Sequence, residues 1–409
     1  MERFPELIKV KQRLDDDHIA DLETHVKKEC GKIIHLFKGD RRIAIGAGSR
    51  GISNYALIMK TIIKYFQDNG FEMIIVPAMG SHGGATAEGQ LEVLASYGIT
   101  EETMGTKILS SMEVVELDSS GLENKVYVDR NAYECDSIII MNRIKAHTDF
   151  AGEIESGLHK MCCIGLGKHK LALEIHSFGG YGLDKLLVPT AQRVVREANI
   201  KAGFAIVENP YHKTKIFKAL TPDEFYTEEK KLLKTAIENI AQLPVSKLDI
   251  LCIDEMGKNI SGTGIDPNVT GDLGIRGLPP KTDAEIRIIV VDDLTEESHG
   301  NAIGVGQADL ITEKLYNKIN FQATNENVIT SAFLERGRIP IVKKDYEEAL
   351  STALQVYGQK IEDVRMVRIR NTQEMSYFYV SKPVYEEIKN NKNYEAVGTF
   401  VKWEDTDKL

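Results

Sequence analysis

Histidines concentrate in one glycine-rich segment of the chain, between Lys145 and His176. Four of the ten histidines lie there, namely His147, His159, His169 and His176. Imidazole is the side chain best suited to proton transfer near neutral pH, and it is the commonest ligand of borderline metals. The glycines of the segment allow the backbone to approach a ligand closely. The segment therefore predicts acid–base or metal chemistry, whereas the plainer interpretation of each histidine is a hydrogen-bonded, solvated side chain.

Two shorter loops each carry one side chain suited to binding or proton transfer. Arg50 lies in the turn Ala47-Gly-Ser-Arg-Gly51, where backbone amides and a guanidinium suit a carboxylate or a phosphate. A surface arginine is the plainer interpretation. His82 lies between Gly-Ser and two glycines, where packing is not its expected role, so we interpret it as an exposed acid or base.

Several well-known motifs are missing from the sequence. It has no CxxC pair and no HExxH, and the adjacent Cys162 and Cys163 lie in an apolar run that predicts core residues and no zinc site. Gly46-Ala-Gly48 lacks the third glycine of a dinucleotide fingerprint. No GxSxG supports an esterase triad.

Three predicted buried strands end at the loops that carry these side chains, at residues 42–46, 71–78 and 136–141. Predicted helices lie between them, and this alternation is typical of a parallel sheet with crossover helices. Ligands collect at the carboxyl ends of such strands. We therefore expect Arg50, His82 and His147 to face one site.

The α/β pattern continues to the end of the chain, with a predicted boundary at residue 244. We predict two α/β domains with mainly parallel sheets, residues 1–244 and 245–409, and an active-site cleft between them. Asp15–Asp17 are predicted to start a helix over 15–37, and Ser53 is predicted to cap a helix over 54–68. Further helices are predicted over 185–202 and 308–316. The glycine- and asparagine-rich loop 257–277 is longer than most connections between elements, and loops of that length are often functional.

Composition narrows the class of protein. The chain has 409 residues, a formal net charge of −10 and an odd number of cysteines, five. The negative charge predicts no nucleic-acid partner, and the cysteine usage predicts a reduced, cytoplasmic protein without a disulfide framework. Residues 1–16 lack the apolar core of a signal peptide, and no apolar run reaches membrane-spanning length, so we expect no membrane partner.

The order and spacing of the singled-out residues resemble the nickel-dependent lactate racemase family. That family carries an arginine after the first strand and a histidine after the next, matched here by Arg50 and His82. A His-x-x-aromatic-Ala-Gly stretch then leads to a lysine, with a histidine sixteen residues beyond it. His147, Lys160 and His176 occupy those positions. The resemblance is most specific over residues 42–176.

The resemblance implies a chemistry for each of these positions. The family uses a nickel-pincer nucleotide, built from nicotinic acid mononucleotide and bound covalently to the lysine through a thioamide. By resemblance, Lys160 is the attachment point and His176 the nickel ligand. His82 and His147 would act as acid and base on opposite faces of a 2-hydroxy acid.

Substrate binding and partners follow from the same resemblance. Arg50 would bind the substrate carboxylate, and the second domain is expected to add a lysine, for which Lys258 is our candidate. The implied activity is a racemase or epimerase, an isomerase that transfers hydride reversibly to the nickel cofactor. Cofactor-synthesising proteins are the implied partners.

This chain also departs from the family pattern. Ala47 replaces an acidic residue, Gly51 replaces a proline, and Gly83 and Gly84 replace the usual Arg-Pro. Three extra residues lie between His147 and Lys160, in a stretch that contains Glu153 and Glu155. These departures predict a divergent subgroup, and the smaller side chains suggest room for a longer 2-hydroxy acid such as a sugar acid.

Two other functions remain open from the residues alone. One is an oxidoreductase that uses free NAD with His82 or His147 as base, although its glycine fingerprint is incomplete. The other is a non-catalytic relative that binds a carboxylate or a nucleotide through Arg50 and the glycine loops.

Overall fold

The chain folds into two compact units. The computed structural model describes residues 3–49, 51–331 and 333–409. The N-terminal unit comprises Asp16–Asn239, and the C-terminal unit comprises Met1–Asp15 together with Ile240–Leu409. The predicted division at residue 244 lies a few residues beyond this boundary. The first residues of the chain join the C-terminal unit because their strand pairs with two strands near the end of the sequence.

Strands and helices alternate along most of the sequence. The strands are β1 (Leu7–Gln12), β2 (Arg42–Ala47), β3 (Glu72–Pro77), β4 (Lys107–Ile108), β5 (Val114–Leu117), β6 (Val126–Asp129), β7 (Ser137–Arg143), β8 (Ile200–Glu208), β9 (Thr214–Leu220), β10 (Lys247–Met256), β11 (Glu285–Leu294), β12 (Leu310–Thr312), β13 (Ile341–Lys343), β14 (Met366–Ile369), β15 (Tyr377–Ser381) and β16 (Tyr394–Val401). The α-helices are α1 (Leu22–Ile33), α2 (Tyr55–Asp68), α3 (Ala87–Ser96), α4 (Glu101–Met104), α5 (Arg130–Tyr133), α6 (Leu158–Lys160), α7 (Lys168–Ser177), α8 (Gly179–Tyr181), α9 (Leu187–Glu197), α10 (Phe225–Glu238), α11 (Pro267–Thr270), α12 (Glu313–Lys318), α13 (Phe321–Ser331), α14 (Tyr346–Tyr357) and α15 (Lys382–Ile388).

The N-terminal unit is built on a six-stranded sheet in the order β4-β3-β2-β7-β8-β9. All neighbours are parallel except the β8–β9 pair. Alternate residues of β3 enter two different cores, with Ile74 and Val76 on one face and Met73 and Ile75 on the other. Both faces of the sheet are therefore covered, which explains why its strands are almost continuously apolar.

The C-terminal unit contains an eight-stranded sheet in the order β13-β12-β11-β10-β14-β15-β1-β16. Its strands are parallel from β13 to β14 and antiparallel from there on. Its core also forms on both faces, since Leu251 and Ile253 pack on one side of β10 and Ile250 and Cys252 on the other. The predicted class, two α/β regions with mainly parallel sheets, is confirmed.

Two predicted helix starts are wrong. Helix α1 begins after Asp21, whose carboxylate accepts a hydrogen bond from the Thr24 amide at 3.1 Å. The predicted starters Asp15–Asp17 precede it outside regular structure. Ser53 does not cap α2, because the cap position is occupied by Asn54 in a left-handed conformation, φ 57°, without a side-chain cap bond.

Two predicted helices contain a strand. The predicted helix 185–202 is a π-helical stretch, Gly182–Leu186, followed by α9, and β8 starts already at residue 200. Asn199, with a left-handed φ of 51°, lies between them and stops helical propagation. In the predicted helix 308–316, β12 occupies 310–312 and the Thr312 hydroxyl then caps α12 by accepting from the Leu315 amide.

The cysteines lie in the interior of the two units. All five are buried thiols that form no disulfide, and Cys162 and Cys163 belong to the apolar core, as predicted. No helix within the described ranges combines the length and apolar character that a bilayer crossing requires.

Candidate active site

The three loops predicted to share a site do lie at one edge of the N-terminal sheet. Strands β3, β2 and β7 are direct neighbours and run parallel, so their carboxyl ends meet. Ser49 follows β2, His82 follows β3 and His147 follows β7. Arg50, the predicted carboxylate ligand, lies outside the described residues.

His147 is held in a short loop that begins after β7. Its backbone N–H donates to the Glu155 carboxylate at 2.6 Å, and the same carboxylate accepts from the Gly152 amide at 3.2 Å. Its ring packs on Phe150, with 4.7 Å between the ring centroids. Glu155 is one of the extra glutamates of this chain, and it is buried. This glutamate therefore shapes the loop that carries the histidine.

His147 and Lys160 are in direct contact. The Nζ atom of Lys160 lies 2.5 Å from Nε2 of His147. The other ring nitrogen, Nδ1, accepts the Asp149 backbone N–H at 3.1 Å. A neutral imidazole with Nδ1 as acceptor carries its proton on Nε2. In that tautomer Nε2 would donate to Nζ, an arrangement that would favour the uncharged amine.

His176 lies close enough to Lys160 for a charge on that amine to lower the pKa of the His176 ring. It stands near the end of α7, with part of its surface exposed. Burial of the remainder lowers the pKa of His176, as does the charge of Lys160 whenever that amine is protonated, while Asp149 opposes both. The structure therefore brings together His147, Lys160 and His176, and it favours the neutral ring of His176 that metal ligation requires.

Glycines allow the segment after Lys160 to press against the ends of β2 and β3. The Gly80 amide donates to Gly165 O at 3.3 Å. A Cβ on Gly165 would stand 2.8 Å from Ala78 O, and one on Gly48 would stand 3.0 Å from the Met161 side chain. Side chains at these positions would push the π-helical stretch Met161–Gly165 away from the strand ends.

His82 has a partner that the sequence analysis missed. Its Nδ1 forms a short hydrogen bond with the Ser49 hydroxyl. Two tyrosines fix the serine's loop, since Tyr97 Oη donates to Ser49 O at 3.0 Å and Tyr55 Oη to Gly48 O at 3.2 Å. The signal that could have found Ser49 is its position at the end of β2, beside Arg50. His82 itself is exposed, as predicted.

Other histidines of the segment serve the core. His159 is 2% exposed, and its Nδ1 lies 2.7 Å from the buried Glu229 carboxylate. It also donates its backbone N–H to Glu229 at 3.2 Å. The plainer interpretation, a hydrogen-bonded and solvated histidine, is thus correct for the hydrogen bond of His159 and wrong for its solvation, and the buried ring anchors the helix turn that carries Lys160.

The small side chains expected to enlarge the pocket have other roles at two positions. Ala47 is buried in the apolar core, so its small side chain leaves no space for substrate. A Cβ on Gly83, whose φ is +66°, would stand 2.5 Å from the Gly89 backbone, so glycine is needed there for close packing. Gly84 differs from both, because a Cβ added to it would meet no atom within 4 Å.

Lys258 belongs to the C-terminal unit, in the loop after β10. Its Nζ donates to Gly262 O at 2.8 Å and to Asn327 Oδ1 at 2.9 Å. The amide of Asn301 donates to the same Asn327 oxygen at 3.1 Å. These contacts fix the lysine within its own loop cluster, at the carboxyl end of a parallel strand.

The donor set fits a metal that takes one protein ligand. Among the described residues, no three His, Cys, Asp or Glu side chains are grouped to hold an ion by themselves. His176 offers a partly exposed imidazole whose pKa is lowered, and the amine of Lys160 lies within its electrostatic range. Such a pair suits a metal group whose remaining ligands come from a covalently bound cofactor.

Comparisons with known proteins found a similar domain in the N-terminal unit and a similar fold. Residues 18–179 match the family model described as lactate racemase N-terminal domain. The fold is similar to that of the lactate racemase apoprotein from Thermoanaerobacterium thermosaccharolyticum, with a TM-score of 0.55 and 14% identity over 90% of this chain and 98% of that chain. A search of curated proteins gave no match.

The matched domain is one that racemases carry, and the α/β fold is that of a racemase apoprotein. The N-terminal unit thus carries a segment similar to the lactate racemase N-terminal domain, and the fold of the chain is similar to that of a lactate racemase. The resemblance predicted from Arg50, His82, His147, Lys160 and His176 is therefore supported over residues 18–179.

Proposed function

We propose that this protein is a racemase or epimerase of a 2-hydroxy acid that works with a nickel-pincer nucleotide attached to Lys160. The observation that carries the proposal is the contact of Lys160 Nζ with His147 Nε2 at 2.5 Å, beside a His176 whose pKa is lowered. An uncharged amine is the form of lysine that can be acylated, and a neutral imidazole is the form that can bind a metal.

The chemistry of the substrate explains why such a cofactor is needed. The C–H bond of a carbon bearing a hydroxyl and a carboxylate is barely acidic, so inversion by proton removal is slow. Removal of hydride instead gives a planar 2-keto acid, and return of hydride to the other face inverts the carbon. When bound, the nickel nucleotide supplies the electron-poor centre for that hydride.

The protein supplies proton transfer and orientation. We assign His82 and His147 as the two groups that take and return the hydroxyl proton, one for each face. Ser49 holds the ring of His82 through Nδ1. The backbone N–H of Asp149 fixes the ring of His147 by donating to its Nδ1.

Arg50 and Lys258 complete the proposed set as substrate ligands. A guanidinium after β2 suits a carboxylate through two parallel hydrogen bonds. Lys258 is held at the carboxyl end of β10, the position at which parallel sheets bind ligands. We propose that the substrate is a small 2-hydroxy acid.

Cofactor attachment requires other proteins, and we propose a cytoplasmic location for the reaction. The partners are cofactor-synthesising proteins that load Lys160. The five cysteines support a reducing compartment, because all are buried thiols outside any disulfide. Burial raises the pKa of Cys135 to about 11 and that of Cys30 to about 12.

The test combines intact mass with optical rotation. The full chain is co-expressed with cofactor-synthesising proteins, and its intact mass is measured by mass spectrometry. Enantiopure 2-hydroxy acids are then incubated with it and screened for loss of optical rotation. We expect an adduct and racemisation in the wild type, and neither in Lys160→Arg, which replaces the acylable amine by a guanidinium of similar length. His169→Asn, in the same segment, should retain both. An unmodified wild type that oxidises 2-hydroxy acids with free NAD would overturn the proposal.

A further inference from the structure

A second lysine of the histidine-rich segment, Lys168, is completely buried. Its side chain is 0% exposed, and its Nζ donates to Pro77 O at 2.7 Å and to Gln90 Oε1 at 2.8 Å. Its third partner is the Asp129 carboxylate at 3.2 Å, also 0% exposed. A buried ammonium group without such partners would strongly destabilise the fold, so the folded structure requires these three contacts of Lys168.

The contacts of Lys168 converge on the loop that carries His82. Gln90, buried in α3, accepts from Lys168 and donates its own amide to Gly80 O at 3.0 Å and to His82 O at 3.3 Å. Lys168 also holds Pro77 O, at the last residue of β3. The two side chains thus bind the loop from both ends.

Lys168 occupies a backbone position that is costly for a side chain. Its φ is +56°, in the left-handed region, although it is the first residue of α7. The residue before it is Gly167, and a Cβ there would stand 2.4 Å from Cys163 O. The strained conformation turns the lysine inward at the start of the helix whose end carries His176.

Burial of this ion pair fits a structural and not an acid–base role for Lys168. Burial lowers the pKa of Lys168 and raises that of Asp129, while each partner's charge opposes the effect of burial. Asp129 also accepts the Ala132 amide at 2.9 Å and so caps α5. Because neither side chain is exposed, the pair is not placed to exchange protons with a substrate.

We propose that Lys168 and Gln90 are positioning residues that fix the loop of His82 relative to helix α7, and thereby relative to His176. This inference rests on the proposed function for its catalytic consequence, but its structural part can be tested without the cofactor. The linkage runs from α7 through Lys168 to Gln90, and from Gln90 to the carbonyl groups of Gly80 and His82.

The decisive variant is Gln90→Glu. The carboxylate keeps an acceptor for Lys168, but it offers no N–H to Gly80 O and His82 O. Hydrogen exchange of the apoprotein is measured at the Gly80 and His82 amides, which donate to Gly165 O and Met79 O. We expect exchange there to accelerate about tenfold or more, and by a clearly larger factor than exchange in β8.

Asn124→Asp is the matched control. Asn124 is a buried amide of the same unit that accepts from Thr190 and donates to Lys125 O, so the change removes the same kind of bond elsewhere. It should not affect exchange at Gly80 or His82. If Gln90→Glu does not fold, Gln90→Met replaces it, since it removes the same donor at similar volume.

Kinetics of the loaded enzyme separate positioning from general destabilisation. Gln90→Glu should lower kcat about ten- to a hundredfold with KM changed less than about threefold, because a displaced base costs rate and not binding. Loop exchange within twofold of the wild type overturns the inference. Accelerated exchange in a protein that proves inactive toward every 2-hydroxy acid keeps the linkage and rejects the proposed function instead.

Discussion

The contact between His147 and Lys160 predicts a lysine that reacts as an uncharged amine at neutral pH. Nδ1 of the ring accepts the Asp149 amide, so the neutral ring donates through Nε2 to Nζ, 2.5 Å away. The change that tests this is His147→Asn, which removes the Nε2 donor. Without it, Lys160 has no reason to lose its proton, and its reactivity should fall.

The size of the effect follows from ordinary lysine titration. With a pKa of about 10.4, a solvated lysine is roughly 0.04% uncharged at pH 7, so a lysine held mainly as the uncharged amine has up to about 10³ times more of the reactive form. Lys160 is partly buried, which limits reagent access. We therefore expect at least about a 30-fold higher rate at Lys160 than at Lys28, an exposed lysine of α1.

The assay is competitive acylation of the apoprotein. Trace acetic anhydride is added at pH 7, the remaining amines are labelled after unfolding, and mass spectrometry gives the ratio at each lysine. In His147→Asn the rate at Lys160 should fall to within about threefold of that at Lys28, whereas His169→Asn, a second histidine of the segment, should leave it high. Equal rates at Lys160 and Lys28 in the wild type would refute the assigned proton position.

Two further predictions concern stability. Glu229→Gln weakens the buried contact with His159, whose side chains are 1% and 2% exposed, and should lower the free energy of unfolding in urea by about 2 kcal/mol; an unchanged midpoint would contradict this. Asp136 accepts the Arg42 and Arg41 amides at 2.8 Å each, and these bonds lower its pKa below 3.8. Its stabilisation is present above the unfolded pKa and is lost as pH falls through the folded one, so Asp136→Asn should lower the melting temperature at pH 7 but not near pH 2.

The strands that position the site could be predicted because their sequence pattern is local. Strands β2, β3 and β7 are short apolar runs, buried on both faces, that end at glycine or polar loops. The rule that parallel strands gather their carboxyl ends then placed His82 and His147 at one edge. Helix starts were less predictable, since Asp21 and Asp15–Asp17 are the same residue type and only the cap contact with Thr24 distinguishes them.

Features that depend on distant partners could not be predicted in this way. Strand β1 pairs with β15 and β16, more than 360 residues away, so nothing near it in sequence indicates its place. Ser49 becomes significant only when β3 brings His82 beside it. Small residues were also ambiguous, because Gly83 looks like an open position in sequence and is a close backbone contact in the structure.

Lys160 and Lys168 show that the surroundings of a lysine, and not the residue type alone, determine its role. Both lie in the same segment, eight positions apart. Lys168 faces a buried carboxylate and two oxygen acceptors, a surrounding that keeps an ammonium group charged and immobile. Lys160 faces an imidazole nitrogen, and donation from that nitrogen would favour the uncharged amine. Because the contacts of Lys168 lead to the His82 loop and those of Lys160 lead to His147, a substitution that loosens Lys168 should alter the position of His82 before it alters attachment at Lys160.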